Sequence, residues 1–425
     1  MKKISGKEAS NMTSMAAPQA FGKKSDDVIF GASAAAQAAV KEYGAAAVTN
    51  ATIGAILDEE ETLVCLPTVE RVYRDLSVQD IIAYAPISGL PAFLERVCDC
   101  CFGAYRPQAH IAAVATAGGT GVIHHVIHNY TEPGDAVLTS DWFWGAYRTL
   151  CEDNQRRLST FTLFTDELTF HHADFARAVH ALADAQRQVT VVLNTPAHNP
   201  TGYSLTDDDW ERVLTVLTEV AADPAKRVTL VVDAAYLDFA GEGDEARQFF
   251  RHFSNLPERL LVVVAYSMSK GFTMYGQRTG AMIGISSSAD VIQEFRDINQ
   301  FTGRATWSNI SRAPMQLLVN ISEDADLLAS FRREQAQYFA MIRERAALFM
   351  EEAAAVGLRV LPYRAGFFIS VPTPHAKAVC ERLHADRIFL VPLQAGVRIA
   401  VCAVPKEKIR GIAGKLAAAL ANVEA

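Results

Sequence analysis

Short apolar runs rich in β-branched residues alternate along this chain with longer amphipathic stretches, and several of the runs stop abruptly in a cluster of polar side chains. A run that is apolar throughout belongs to a strand buried on both faces, and the amphipathic stretches between such runs are helices that cover them. Together they specify βαβ units around a mostly parallel sheet. The runs are Ile111 to Thr116, Asp135 to Thr139, Val189 to Leu193, Val228 to Val232, Leu260 to Tyr266 and Ala281 to Ile285. From about Asp324 to Val356 the text is continuously helical, with many alanines and charges and no Gly or Pro, which predicts one long helix. Beyond it, 367–371 and 397–401 are predicted strands of a smaller domain, closed by an Ala-rich helix. A chain of 425 residues can bury a large core. The expected organisation is an N-terminal arm with part of the small domain over 1–54, a large α/β domain over 55–325 and the rest of the small domain over 326–425.

In open parallel sheets ligands collect beyond the carboxyl ends of the strands, so the polar clusters that close the runs are the candidate site. Lys270 follows the run that ends at Tyr266, in a segment that also holds Ser267, Ser269 and Arg278. A lysine there can form a Schiff base with an aldehyde, and the two serines and the arginine suit the phosphate clamp of pyridoxal phosphate. Asp233 closes another run and can pair with a protonated pyridine nitrogen, which keeps the ring an electron sink; Tyr236, three residues on, can reach the ring's phenolic oxygen. Asn199, in the segment after Leu193, can donate to that same oxygen. Gly118, Gly119, Thr120 and Gly121 open a helical stretch, where backbone amides and the positive end of the helix dipole favour a phosphate. Each segment alone also fits an ordinary strand followed by a polar loop. Four of them in this order fit that plainer description poorly.

At these residues the chain resembles the class I aminotransferases, the aspartate and aromatic amino-acid branch of the fold-type I pyridoxal phosphate enzymes, from about Asn50 to Arg398. The resemblance implies a fold-type I transferase that is α/β, with helices on both faces of the large sheet. It implies that Lys270 is the Schiff-base lysine and then the base at the α-carbon, with Asp233 and Tyr236 as its catalytic partners. Asn199 is expected to hold the ring beside them, and Gly119, Thr120, Ser267, Ser269 and Arg278 the phosphate. Trp142 is similar to the aromatic that stacks on the ring, with Trp144 and Tyr147 as neighbouring alternatives. Tyr84 resembles a residue lent to the partner's phosphate, so a homodimer with shared sites is expected. For substrate, Arg398 resembles the arginine that takes the α-carboxylate, a group suited to a planar two-pronged donor. Gly54, Asn199 and Trp142 are expected beside it. Arg304 falls where this branch carries an arginine that meets a side-chain carboxylate across the dimer interface.

The implied activity is transamination between an amino acid, either aspartate, glutamate or an aromatic one, and a 2-oxo acid by a ping-pong cycle. A fold-type I lyase or decarboxylase would share every cofactor residue, and a cofactor-sensing regulator is the reading from outside enzymology. Several positions depart from the aspartate pattern: Gly118 for a hydroxyl residue, Trp307 for a tyrosine, Thr195 within the usual Asn-Pro, and no proline pair after Asn309.

No metal is expected. Cys98, Cys100 and Cys101 lack a second pair or a nearby histidine and read as thiols on a helix, and His124 and His128 lack the glutamate of a zinc-protease helix. A net charge of −8 and the absence of a basic run argue against a nucleic-acid partner. Seven cysteines without framework spacing, an N-terminus without an apolar signal and no apolar run of membrane length lead to the expectation of a soluble cytoplasmic protein whose partners are small molecules. The first 25 residues are polar and expected to form a partly ordered arm.

Overall fold

The computed structural model describes residues 14–24 and 28–424, so most of the expected arm lies outside the described residues. Its strands are β1 (Thr49–Asn50), β2 (His110–Thr116), β3 (Ala136–Ser140), β4 (Arg157–Phe161), β5 (Gln188–Asn194), β6 (Arg227–Asp233), β7 (Leu260–Ser267), β8 (Gly280–Ser286), β9 (Phe368–Pro372), β10 (Ile388–Phe389), β11 (Val391–Pro392) and β12 (Gly396–Ala400). Strands β2 to β8 form one sheet of seven, in the order β2-β8-β7-β6-β5-β3-β4. All its pairings are parallel except those of β8, which runs against both β2 and β7. Since β8 opposes both neighbours, β2 points the same way as β7, and β2, β5, β6 and β7 all empty their carboxyl ends at one edge.

The apolar runs lie where buried strands require them. Every residue of β7 and β8 is buried, and β6 is buried from its second residue onward. The edge strand β4 buries only Phe161 and lacks a continuous apolar run, which is why the sequence pattern passed over it. Helices cover both faces, among them Gly118–Asn129 and Ala289–Thr306 on one and Pro91–Phe102 and Asp207–Ala222 on the other.

The long helix expected from Asp324 is present as Ala325–Ala355, capped by the Asp324 carboxylate, which accepts from the amides of Asp326 and Leu327. Beyond it a second sheet orders β11-β12-β9 with antiparallel pairings, while β1 pairs in parallel with β10 and so ties residues 49–50 to 388–389.

Arg345 joins the long helix to the segments that follow β1 and β12. Its side chain is fully buried and donates to the Leu57 and Cys402 carbonyls at 2.9 Å each and to Glu59 Oε1 at 2.6 Å. The Glu59 side chain is 46% exposed, so solvent screens its half of the pair. The two ends of this contact should therefore respond unequally to mutation. Arg345→Ala is expected to cost about 3 kcal/mol, because it strands buried carbonyls and opens a cavity. Glu59→Gln should cost about 1 kcal/mol at most. Chemical denaturation of the two variants checks the difference, and equal losses would mean that the ion pair matters more than the buried carbonyl contacts.

Candidate active site

The register of the central sheet brings the strand-end residues together. Asn194 lies opposite Asp233, and Asp233 opposite Ala265, two residues before Ser267. Beyond this edge lies a cavity of about 180 Å³ lined by Gly119, Thr120, Trp144, Asn199, Asp233 and Tyr236 on one part of its wall, and by Ser267, Ser269, Lys270, Tyr275 and Arg278 on another. Residues from β2, β5, β6 and β7 and the loops after them therefore meet in one place.

Lys270 sits in the short helical turn Met268–Gly271 directly after β7, with Ser267 as its cap. Its Nζ donates to the Gly54 carbonyl at 2.6 Å and stands 5.0 Å from the Tyr275 ring centroid, 5.7 Å from that of Tyr236 and 5.8 Å from that of Phe367. Burial lowers its pKa to about 8; the nearby Cys402 thiol opposes that shift, and the Arg278 and Arg398 charges add to it. An amine in that range is a nucleophile and a base near neutral pH. Gly54 is thus brought to the lysine, and a Cβ there would stand 3.0 Å from the Phe368 ring.

Asp233 is buried at the end of β6. Its Oδ2 accepts from the Tyr147 hydroxyl at 2.5 Å and its Oδ1 from the Ala235 amide at 3.3 Å. Burial raises its pKa, and the two hydrogen bonds oppose that rise. The Tyr236 hydroxyl accepts from Asn199 Nδ2 at 3.3 Å. Asn194 braces this corner: its Nδ2 donates to the Asp233 carbonyl at 2.7 Å and its Oδ1 accepts the Asn199 amide at 2.5 Å. Thr195, one of the departures from the aspartate pattern, keeps the same bracing by donating its amide to the Asp233 carbonyl at 3.1 Å.

At the other end, Arg278 donates to Ser269 Oγ at 3.1 Å and to the Tyr275 carbonyl at 2.9 Å. Its neighbour Gly118 has φ +67°, a conformation that favours glycine, and a Cβ there would lie 2.8 Å from Arg278 Nη2, so a side chain would be strained and would displace the tip of Arg278. Gly119 and Thr120 begin the helix Gly118–Asn129 beside Ser267. Two serine hydroxyls, a guanidinium and a helix start form an anion cradle, and Asp233 with Tyr236 and Asn199 forms a polar corner for a ring. These are the donor groups that a phosphorylated aromatic aldehyde would need, with the Lys270 amine in the same cavity wall.

Arg398 on β12 is buried and donates to Asn199 Oδ1 at 3.2 Å and to the Thr52 carbonyl at 2.9 Å, with its guanidinium 4.3 Å above the Phe368 ring. It therefore adjoins the ring corner, with one face on an aromatic and its donors inward.

Trp142 is corrected. It is absent from the cavity wall and packs in the core with its ring tip 2.7 Å from where a Gly396 Cβ would stand; Trp144, two residues on, lines the cavity instead. Trp142 accordingly loses its expected place beside the substrate as well. Tyr84 is 88% exposed, and Arg304, at the end of the helix Ala289–Thr306, bonds Ser308; neither reaches this chain's own cavity. Trp307, another departure, stacks on His125 with centroids 4.3 Å apart and packs over Gly121, so it supports the helix of the anion cradle.

Sequence reasoning named Tyr147 only as an alternative ring-stacking aromatic, whereas its hydroxyl holds Asp233, and it missed Tyr275, Asn194 and Cys402 as site residues. Tyr275 lines the cavity with its hydroxyl accepting the Ile56 amide at 3.0 Å, and the Cys402 thiol contacts the Ala55 carbonyl at 3.4 Å. Tyr275 and Asn194 lie inside the strand-end motifs, where polar type and position were the available signal. Cys402 carried none. Cys98 and Cys101 are buried on the helix Pro91–Phe102, as a thiol-bearing helix face requires, and all seven cysteines are free.

A family model described as aminotransferase class I and II matches residues 46–416. An aromatic-amino-acid aminotransferase of Paracoccus denitrificans is 28% identical over 239 residues, which cover 55% of this chain and only 58% of that relative. The crystal structure of an aminotransferase from Anaerococcus prevotii superposes with a TM-score of 0.93 at 38% identity, covering 95% of this chain and 99% of that one. An aromatic-amino-acid aminotransferase of Burkholderia pseudomallei, covalently bound to pyridoxal phosphate, has the same fold with a TM-score of 0.76 at 24% identity, covering 96% of this chain and all of the other.

The electrostatics of Lys270 give a direct check on the site. In the cofactor-free protein, reductive methylation of Lys270 followed by peptide mass spectrometry should rise with pH about a midpoint near 8, because the free base is the reactive form. A midpoint near the ordinary 10.5 would mean that the cavity is wet and the lysine solvated.

Proposed function

The chain belongs to the class I and II aminotransferases, and from that membership we propose that it is a pyridoxal phosphate-dependent transaminase that moves an amino group between an amino acid and a 2-oxo acid in a ping-pong cycle. The observation that carries this is the meeting of Lys270, Asp233, Tyr236 and Arg278 around one cavity, with Arg398 bonded to Asn199 of its wall. When bound, pyridoxal phosphate supplies an aldehyde carbon that takes the substrate nitrogen and a ring that accepts electrons from the bond broken at the α-carbon.

The chain's own residues do the rest. Lys270 Nζ would anchor the aldehyde covalently and, as the free amine, would be the base that takes the proton from the α-carbon and returns it. Ser267, Ser269, Arg278 and the amides of Gly119 and Thr120 hold the phosphate. Asp233 pairs with the ring nitrogen, while Tyr236 and Asn199 hold the phenolic oxygen. Trp144 covers the ring face. Arg398, braced by Asn199 and Thr52, grips the α-carboxylate, and Gly54 leaves room for the α-carbon beside Lys270. The fold-type I lyase or decarboxylase alternative is not favoured by the family match.

The finer features belong to the same proposal. The protein works as a homodimer, and Tyr84 and Arg304 serve the partner's site. This is supported by the exposure of Tyr84 with Val78, Ile82 and Phe301, a set of large apolar side chains that a lone chain would leave in water. The Arg312–Asp80 pair, at 3.4 Å, joins the segment following Arg304 to the one preceding Tyr84. The substrates are aspartate, glutamate or aromatic amino acids with their oxo acids. A cytoplasmic location is supported by seven free cysteines, and among the described residues no helix is long and apolar enough to cross a membrane. The large domain is taken as 55–325, with 326–425 and the segment up to 54 forming the small one.

A panel of amino acids scored by single half-reactions tests the function. The wild-type protein should convert the bound cofactor with aspartate, glutamate or an aromatic amino acid. Lys270→Ala should bind the cofactor without a covalent link and lose turnover by several orders of magnitude. Arg304→Ala should lose dicarboxylates by roughly 100-fold or more while aromatic substrates change little, as expected when a charge-assisted bidentate contact is removed. Near-normal turnover in Lys270→Ala would remove the mechanism, and equal losses in Arg304→Ala would make that arginine structural.

A further inference from the structure

One buried group beside the site has no part in the chemistry assigned so far. Tyr147 stands on the helix Ala146–Asp153, is 1% exposed, and belongs to an apolar cluster with Val192, Val231 and Ala265. Trp144, the cavity aromatic, meets its ring edge-on with centroids 5.6 Å apart. In this apolar setting the only polar partner its hydroxyl finds among the described residues is Asp233 Oδ2, at 2.5 Å. The second carboxylate oxygen has a weaker donor, the Ala235 amide at 3.3 Å.

We infer that Tyr147 is the positioning residue of the ring-nitrogen contact: its uncharged hydroxyl fixes the Asp233 carboxylate from behind, favours its ionised form, and leaves the other oxygen to face the cofactor. The inference rests on the pyridoxal phosphate reading of the cavity.

Two considerations carry it. First, a carboxylate walled in by apolar side chains tends toward the neutral acid, and a neutral acid cannot hold a cationic ring nitrogen. The direction found for Asp233 shows this conflict: burial pushes it up, and the Tyr147 hydroxyl is the first contact that resists. A hydrogen bond to an ionised acceptor in a dry site is among the stronger polar contacts available. Second, the donor does not titrate in the neutral range. Burial foremost, then Asp233, raises the Tyr147 hydroxyl well above its ordinary value, so it stays protonated. Apart from each other, Tyr236 is the titratable group whose charge reaches the pair, and burial raises its hydroxyl too. The remaining faces of Tyr147 are the apolar residues of its cluster. The hold on Asp233 is therefore constant with pH, which a histidine in the same place could not provide.

Cofactor-free wild-type protein, Tyr147→Phe and Tyr147→His are titrated with pyridoxal phosphate, following tryptophan fluorescence for affinity and the absorbance of the bound cofactor across the neutral pH range. Circular dichroism confirms that each variant is folded. Tyr147→Phe should bind about 10-fold or more weakly, the factor expected for losing one hydrogen bond to a charged group. It should also show a changed cofactor spectrum. Tyr147→His should recover most of the affinity, because a donor is restored, and should acquire a pH-dependent spectral step that the wild type lacks.

Wild-type affinity and spectrum in Tyr147→Phe would overturn the inference while leaving the function intact. If Tyr147→Phe does not fold, Tyr147→His decides alone, and a flat spectrum there overturns the inference. Failure of the wild-type protein to bind the cofactor would instead count against the functional reading.

Discussion

The register that sets Asn194 opposite Asp233, and Asp233 opposite Ala265, is the constraint from which the rest of the site follows. Side chains alternate along a strand, so a slip of one residue between β5 and β6 or between β6 and β7 would turn Asp233 away from the cavity and the strand's apolar side chains toward it. A lengthwise slip is opposed because it would draw the polar residues that close the runs, Asn194, Asp233 and Ser267, in among buried apolar side chains. Asn194 then locks the loops to the strands by bonding both the Asp233 carbonyl and the Asn199 amide. From this frame each loop needs only a few residues to deliver its side chain.

The cavity divides its charges by end. Arg278 with Ser269 holds one end, Asp233 with Tyr147 another, and Lys270 lies between them and Arg398. Placing an amine near two guanidinium groups in a dry site lowers its basicity, and that suits a group that must be a nucleophile before it is a base. Placing a carboxylate in an apolar wall does the reverse, and here the protein counters burial with a neutral donor. The same end contains Gly118, whose φ of +67° favours glycine and whose missing Cβ leaves Arg278 in place beside the helix start.

Much of this was legible in the sequence, and the limits of legibility are physical. Strand existence and strand-end residues were readable because burial on both faces leaves an unbroken apolar run, as at Leu260 to Tyr266, and because polar residues directly after such a run must face the sheet edge. The edge strand Arg157–Phe161 has no such run and escaped notice. The sequence leaves the stacking aromatic open among Trp142, Trp144 and Tyr147, with Trp142 placed first, because the segment from Asp141 to Tyr147 carries Trp142, Phe143, Trp144 and Tyr147 and no strand periodicity fixes which of them turns inward. The structure sends Trp142 to the core above Gly396 and Trp144 to the cavity. The Arg398–Asn199 contact and the Tyr147–Asp233 bond join residues 199 and 86 positions apart, and no local pattern encodes such pairings.

The central claim is that the Lys270 amine is the covalent anchor of a vitamin B6 cofactor. The most direct measurement is borohydride reduction of the protein saturated with pyridoxal phosphate, followed by proteolysis and mass spectrometry of the labelled peptide. The account predicts a single stable phosphopyridoxyl adduct on Lys270. An unlabelled Lys270, or an adduct spread over surface lysines in its place, would contradict it.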